Sequence, residues 1–329
     1  MYNQTEAVLA QYDLEIKQTT KGRGNYICET DRGPMLLVPF RGSQERGEWL
    51  QGYLEQLLQQ GYAVEQIYRN GRGEVVTVDE ATGEGFLLKD YISGSEIGTT
   101  RYGDMMEALE ELGRYHRLSR QVENDRTPTT RQWEGNASEA AIEIRKRHQR
   151  ELVKVRNYIR GRKKKMEFEQ MYLSHVPRML EAAGHSIEIL QGQQDVAETI
   201  VVCHGDCNQH NVIWSGGRWR LINFENAYYG WGTCDLANFI RKMLEKNGWD
   251  AELGMELVWS YDKVHPLGEA GYRQLYGLLL FPEKFWKIAN HYMNSNKAWI
   301  PQRDIEKMEK VISQEELRLK FLEKLFPIL

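Results

Sequence analysis

Residues 201–225 read VVCHGDCNQHNVIWSGGRWRLINFE. The apolar run at 199–203 has the length and composition of a buried strand. It stops at His204-Gly205-Asp206, and Asn211 follows five residues after the aspartate. A short strand over 212–214 turns through Ser215-Gly216-Gly217, and a return strand over 218–222 delivers Asn223-Phe224-Glu225. Ser-Gly-Gly between two apolar, aromatic-rich runs is a hairpin signal. Such a hairpin would bring Asp206, Asn211, Asn223 and Glu225 to one end of a small sheet.

That set suits phosphoryl transfer. One carboxylate accepts the proton of an attacking hydroxyl, while an asparagine and a second acidic group hold Mg2+ against nucleotide phosphates. The competing reading is that Asp206 and Asn211 cap turns, as Asx residues often do. HGDxxxxN followed by a hydrophobic-Asx-Phe-acid strand resembles the aminoglycoside and choline kinase-type phosphotransferases. The resemblance implies an α+β, protein-kinase-like fold of two lobes. A small β-rich lobe with one main helix would span 1–92. A large, mostly helical lobe would span 93–329 and carry the catalytic-type loop at 202–225. Asp206 would be the general base, Asn211, Asn223 and Glu225 the metal ligands, and ATP with Mg2+ the cofactors of an active enzyme.

The bulk properties set bounds. A chain of 329 residues can bury a large core in one large or two medium domains. Its 41% hydrophobic and 27% charged content is that of a soluble globular protein. A net charge of -4 gives no global reason to expect nucleic acid or membrane as a partner. The start, MYNQTEAVLAQYDLE, lacks the basic-then-apolar order of a signal peptide, so cytoplasmic synthesis is expected. No apolar run approaches the roughly 20 residues that span a bilayer. Cys28, Cys203, Cys207 and Cys234 form no CxxC pair and have no histidine cluster to complete a zinc site, so free thiols are expected. Cys207, inside the catalytic-type loop, is the candidate for an exposed, oxidisable thiol.

Residues 14–40 follow a strand-turn-strand pattern, with turns at 21–25 and 31–33. The apolar strand at 35–38 should end at Pro39, because proline cannot serve a central ladder. Trp49, Tyr53, Leu54, Leu57 and Leu58 form a helical stripe within 44–60, and Gly61 is a plausible stop. Further strands are expected at 64–69, 74–78 and 86–92, completing one sheet accompanied by one helix. In a kinase-like fold the Gly22/Gly24 turn lies over the nucleotide phosphates. Tyr91 and Ile92, in the segment 91–94, would then form the hinge beside an adenine edge. Two glycines in a hairpin also make an ordinary turn, and GxGxxG is absent.

In the later part, Met105, Met106, Leu109, Leu112, Tyr115 and Leu118 have core-helix spacing, and His116 among them reads as structural. Residues 119–135 read as a loop and 137–190 as a long polar helical region. The run RKRHQRELVKVRNYIRGRKKK at 145–165 reads either as a solvated helix face or as a polyanion-binding surface. Asp235 in Thr233-Cys234-Asp235-Leu236-Ala237 is placed, by the family resemblance, to buttress the catalytic loop; a plain N-cap is the other reading.

Within the family the chain looks most like the bacterial spore-coat kinase-like proteins of the CotS and YutH type. Phe40-Arg41-Gly42-Ser43, Trp49, Cys203-His204-Gly205-Asp206, Gln209-His210-Asn211, Ile222-Asn223-Phe224-Glu225 and Asp235-Leu236-Ala237 carry that likeness. It implies a place in the spore coat of a spore-forming bacterium, with other coat proteins as partners. Where that branch has Leu-Lys-Pro, this chain has Leu37-Val38-Pro39, so Val38 stands at the position of the phosphate-gripping lysine. Asn223 stands where the first metal carboxylate would be. Glu45 and Glu48 on the following helix then have no ammonium to pair with and read as a solvated face. Glu225 is the candidate to rescue metal binding, and Arg23 and Arg41 are the candidates to reach phosphates. The expectation is a catalytically impaired protein with a structural or scaffolding role. The alternatives are an active ATP-dependent small-molecule phosphotransferase with Asp206 as base, and a polyanion-binding module on 145–165.

Overall fold

A computed structural model describes residues 4–22, 24–124, 137–193, 200–295 and 302–326. The chain is α+β and divides into two compact units. One is built on Met1–Ile97 and Gln209–Ala227, the other on Gly98–Arg120, Arg131–Asn208 and Tyr228–Leu329. The hairpin after Asn211, which the sequence assigns to 93–329, packs with the β-rich unit.

The first unit opens with a short helix not expected from the sequence, α1 (Gln4–Leu9). Its sheet has six strands, each on one of the runs read from the sequence: β1 (Ile16–Lys21), β2 (Tyr26–Thr30), β3 (Gly33–Phe40), β4 (Ile67–Tyr68), β5 (Thr77–Val78) and β6 (Gly85–Asp90). The order is β1-β2-β3-β6-β4, with β5 also on β6. Helix α2 (Gln44–Gln59) lies between β3 and β4. Ser43 caps it by accepting the Arg46 N–H, and Trp49, Tyr53, Leu54 and Leu57 are buried on one side.

Strand β3 does not end at Pro39. It continues to Phe40, with Pro39 opposite Phe86 of β6. The reason is local. Strand β2 pairs β3 only from Gly33 to Leu37, and β6 pairs it only from Met35 to Phe40. Pro34 and Pro39 thus each sit where β3 has a neighbour on one side, as on an edge strand, and the missing N–H interrupts no ladder.

Alternation then fixes which residues face where. Met35 and Leu37 of β3 and Phe86 and Leu88 of β6 form a core with Val8, Leu9 and Tyr12. Leu36, Val38, Leu87 and Lys89 are therefore on the opposite face. The expected hairpin is present as β9 (Val212–Ser215) and β10 (Arg218–Leu221), and β7 (Ser95–Glu96) adds a third strand to it. Gly216 and Gly217 have φ of 60° and 77°. Two positive values in a two-residue loop are what a type I′ hairpin turn requires, and glycine adopts them without a Cβ clash.

In the second unit β8 (Ile200–Cys203) pairs with β11 (Tyr228–Trp231), a partner not evident in the sequence. The unit's helices are α3 (Tyr102–Asn124), α4 (Ala137–Gly161), α5 (Glu167–Gln191), α6 (Thr233–Leu244), α7 (Ala251–Asp262), α8 (Gly268–Leu280), α9 (Glu283–Asn294) and α10 (Gln302–Leu325). Helix α3 runs into the segment read as a loop, and the rest of that loop, 125–136, lies outside the described residues. The long helical region at 137–190 is two helices. Leu152, Val155 and Ile159 of α4 pack with Phe168, Tyr172 and Val176 of α5 and with Phe285 and Tyr292 of α9. Arg147, Arg150, Lys154 and Arg160 are exposed, so the basic run is the wet side of an amphipathic helix.

Candidate active site

In the first unit, Lys89 is the residue that organises the expected site. It stands in an otherwise apolar strand, Phe86-Leu87-Leu88-Lys89, and is 1% exposed. A buried lysine must find partners, and this one has three. Its Nζ donates to Glu65 Oε1 at 3.1 Å, to Asn223 Oδ1 at 2.8 Å and to a Glu225 carboxylate oxygen. Burial, the largest influence, pushes the ammonium's pKa down; Glu225 and Glu65 outweigh it and hold the pKa above the ordinary lysine value. Lys89 is therefore charged at neutral pH.

Glu65 does more than neutralise that charge. The same Oε1 accepts the backbone N–H of Asn223 at 2.8 Å and of Phe224 at 3.0 Å. Asn223 is in the left-handed region, at φ 68° and ψ 61°. That conformation is uncommon for a residue with a side chain, though asparagine tolerates it best. The two bonds to Glu65 secure it. Asn223 also donates its side-chain amide to Asn211 Oδ1 at 2.9 Å. The structure thus brings together Asn211, Asn223 and Glu225, three of the four residues that the hairpin implied, and Asp206 falls in the second unit. Two of these, Asn223 and Glu225, turn an oxygen toward Lys89, and Asn211 turns its own toward Asn223.

Val38 is 2% exposed and shares the Lys89 face of the sheet. Glu45 and Glu48 of α2 are exposed, and Glu48 accepts from the Gln44 amide at 3.3 Å and lies 3.9 Å from Arg69. The acid that meets the buried lysine comes instead from the segment after α2. Neither Lys89 nor Glu65 was singled out from the sequence. The available signal was a lysine inside a run that must be buried, since such a residue is almost always paired.

Beside this cluster is a cavity of about 250 Å3 lined by Gly22, Asn25, Ile27, Leu36, Glu65, Lys89, Tyr91, Ile92 and Asn223, among others. It gathers the Gly22 turn, the segment expected as hinge and the Lys89 cluster. Gly24 has a φ of +82° and helps close the turn, where Gly22 N–H donates to the Asn25 carbonyl at 2.8 Å. Arg41 lines a different cavity, with Pro39, Gln44 and Glu84, and Arg23 lies outside the described residues.

In the second unit Asp206 sits on the loop after β8, its side chain 46% exposed, with Lys242 Nζ at 3.4 Å. Asp235 holds that loop. Its carboxylate accepts the backbone N–H of His204 at 2.5 Å and of Gly205 at 3.0 Å, and His116 Nε2 lies 3.3 Å away. His116 Nδ1 in turn meets Tyr261 Oη at 2.8 Å. Burial raises the Asp235 pKa most, but His116, His204 and the backbone donor outweigh it and keep it below the usual carboxylate value. Asp235 is in the first turn of α6 and buttresses the loop; the N-cap of α6 is Gly232. Cys207 is not an exposed thiol. It is fully buried, and burial pushes its pKa well up. Its side chain turns inward from a loop pinned on both sides of Asp206, where Asn238 also donates to the Cys207 carbonyl at 2.9 Å.

A model of the phosphotransferase enzyme family matches residues 15–275. The chain belongs to that family. It is similar to spore coat protein S of Bacillus subtilis (strain 168), 23% identical over 332 residues, covering 95% of this chain and 89% of that protein. Among solved structures it is similar to an aminoglycoside phosphotransferase from Alicyclobacillus acidocaldarius, with a TM-score of 0.77, 17% identity, and coverage of 98% and 95% of the two chains. It is also similar to an amicoumacin kinase in complex with AMP-PNP and Ca2+, at a TM-score of 0.62 and 16% identity, covering 96% and 92%. The fold of this phosphotransferase-family chain is thus the protein-kinase-like one that the motif implied, with a β-rich N-terminal region and a mostly helical C-terminal region.

Proposed function

We propose that this chain is a spore-coat protein of a spore-forming bacterium that has kept the phosphotransferase fold with little or no turnover, and that it works as a scaffold among other coat proteins. The likeness to spore coat protein S supports the place. The state of Lys89 carries the reading of impairment. An ammonium has three donors, and those of Lys89 go to Glu65, Asn223 and Glu225. The phosphate-gripping position on β3 is Val38. Losing one charged contact to a developing transition state typically lowers turnover about 100- to 1,000-fold, and two losses compound.

A transfer assay with γ-labelled ATP tests this. The expected result is no turnover above that of an Asp206→Ala variant, together with normal coat assembly when that variant replaces the native gene in its spore-forming host. Transfer that Asp206→Ala abolishes would overturn it and favour the second reading, an ATP- and Mg2+-dependent phosphotransferase acting on a small molecule with Asp206 as base. One observation supports that second reading: Asp206 is half-exposed on a loop that Asp235 holds firmly. Polyanion binding through α4 remains the least supported reading, because its basic side chains form the wet side of a packed helix.

A further inference from the structure

We infer that Lys89 is a resident cation standing where the family's divalent metal would be, so that the Asn211, Asn223 and Glu225 group takes up no Mg2+ or Mn2+ while that lysine is in place. This deepens the reading of an impaired phosphotransferase and rests on it for the identity of the positions.

A divalent metal binds oxygens that point at it, and Mg2+ needs them at about 2.1 Å in near-octahedral order. Here Asn223 Oδ1 and a Glu225 oxygen converge on Lys89 Nζ, and Asn211 Oδ1 accepts the Asn223 amide. The Asn223 side chain is held at both ends, its oxygen by an ammonium and its nitrogen by Asn211. Turning it over would put an N–H against Lys89. Glu65, the remaining carboxylate, places one oxygen against Lys89 and the backbone N–H groups of Asn223 and Phe224.

The backbone of Lys89 is also fixed. Strand β6 is paired on both sides at this residue, with Leu36 of β3 and Ile67 of β4. Its side chain is 2% exposed. A metal entering the group would lie within a few ångströms of a fixed ammonium, in a poorly solvated place where like charges repel strongly. With Lys89 in place the two carboxylates leave the cluster one net negative charge instead of two, so the attraction that would draw in a dication is weakened. Remove the ammonium, and Glu65, Glu225 and Asn223 become a vacated oxygen cage with two negative charges.

The test is titration of the intact protein with Mn2+ alone, without nucleotide, followed by the loss of free Mn2+ signal in electron paramagnetic resonance. The wild type should bind no Mn2+ at this group up to millimolar concentration. Lys89→Met should bind one Mn2+ roughly tenfold or more tightly than that limit. Specific binding by the wild type that Asn223→Ala abolishes would overturn the proposal, as would a folded Lys89→Met that gains nothing. Should Lys89→Met not fold, the side-chain 15N resonance of Lys89 in the wild type decides. Mn2+ should leave it sharp, and selective broadening would overturn the inference. A wild type that transfers phosphate without binding Mn2+ would defeat the impaired reading alone. A wild type that binds Mn2+ without turnover would defeat only this inference.

Discussion

Leu36 of β3 and Lys89 of β6 stand directly opposite one another, so both side chains leave the sheet on the face away from the α1 core. Val38 lies two residues along on that same face. Strand β3 carries no lysine, and the ammonium on this face belongs to β6, aimed into the cluster formed by Glu65, Asn223 and Glu225.

If that bond network holds the first unit together, Lys89→Met will destabilise it by about 3–5 kcal/mol, because the buried Glu65 and the partly buried Glu225 lose their counter-charge. Lys89→Met combined with Glu65→Gln should cost less than the sum of the two single changes. Chemical denaturation of the four proteins measures the coupling; strict additivity would show that the pair is not acting as a unit.

Asp235→Asn removes one of the two oxygens that accept the His204 and Gly205 amides. A buried amide left without its acceptor costs about 1–3 kcal/mol. The visible consequence is faster hydrogen exchange at those two amides, with exchange in α4 and α5 unchanged.

Acid stability should fall in two windows. His265 is held down to about 4 from 6.5, first by burial and then by the charges of His116, Arg120 and Arg117. Its charged form is disfavoured in the folded state, so its stabilising effect is complete above the unfolded value near 6.5 and is lost as pH falls toward 4. Glu283 is held at about 2 from 4.5; burial opposes this, but His148, Lys287 and Arg145 outweigh it. Its contribution is present above 4.5 and disappears as pH falls toward 2. Melting temperature against pH should therefore decline in the upper window first, and His265→Gln should flatten that part alone.

Thiol chemistry follows burial. Cys28, Cys203 and Cys207 are fully buried, and burial pushes each thiol's pKa up. Attack needs a thiolate that the reagent can reach. These three should label only as fast as the protein opens, and Cys207 should show no excess over the other two in mass-spectrometric mapping. Preferential labelling of Cys207 in the native protein would contradict the loop geometry.

Much was legible in the chain by itself. Gly216-Gly217 between two apolar runs fixed the hairpin, because a glycine pair accepts positive φ at both turn positions without a Cβ clash. HGDxxxxN and the Asn223-Phe224-Glu225 strand end gave the fold and gathered three of the site residues. The stripe at Trp49, Tyr53, Leu54 and Leu57 found α2 and its buried side. These are local signals, set by periods of two and 3.6 residues and by backbone sterics. What stayed hidden was decided by pairing between distant segments. Whether a strand may pass through Pro39 depends on where β2 stops. Whether Cys207 is exposed depends on which way a loop pinned by Asp235 turns its side chains. Which cation stands beside Asn223 depends on a register that sets Lys89 across from Leu36, and on a glutamate at 65 reached only after α2 has brought the chain back. Sequence determined the elements and the kind of site they build; the partners of a buried charge were a tertiary matter, because an ammonium removed from water binds whatever oxygens the folded chain brings within reach, however far apart they lie along it.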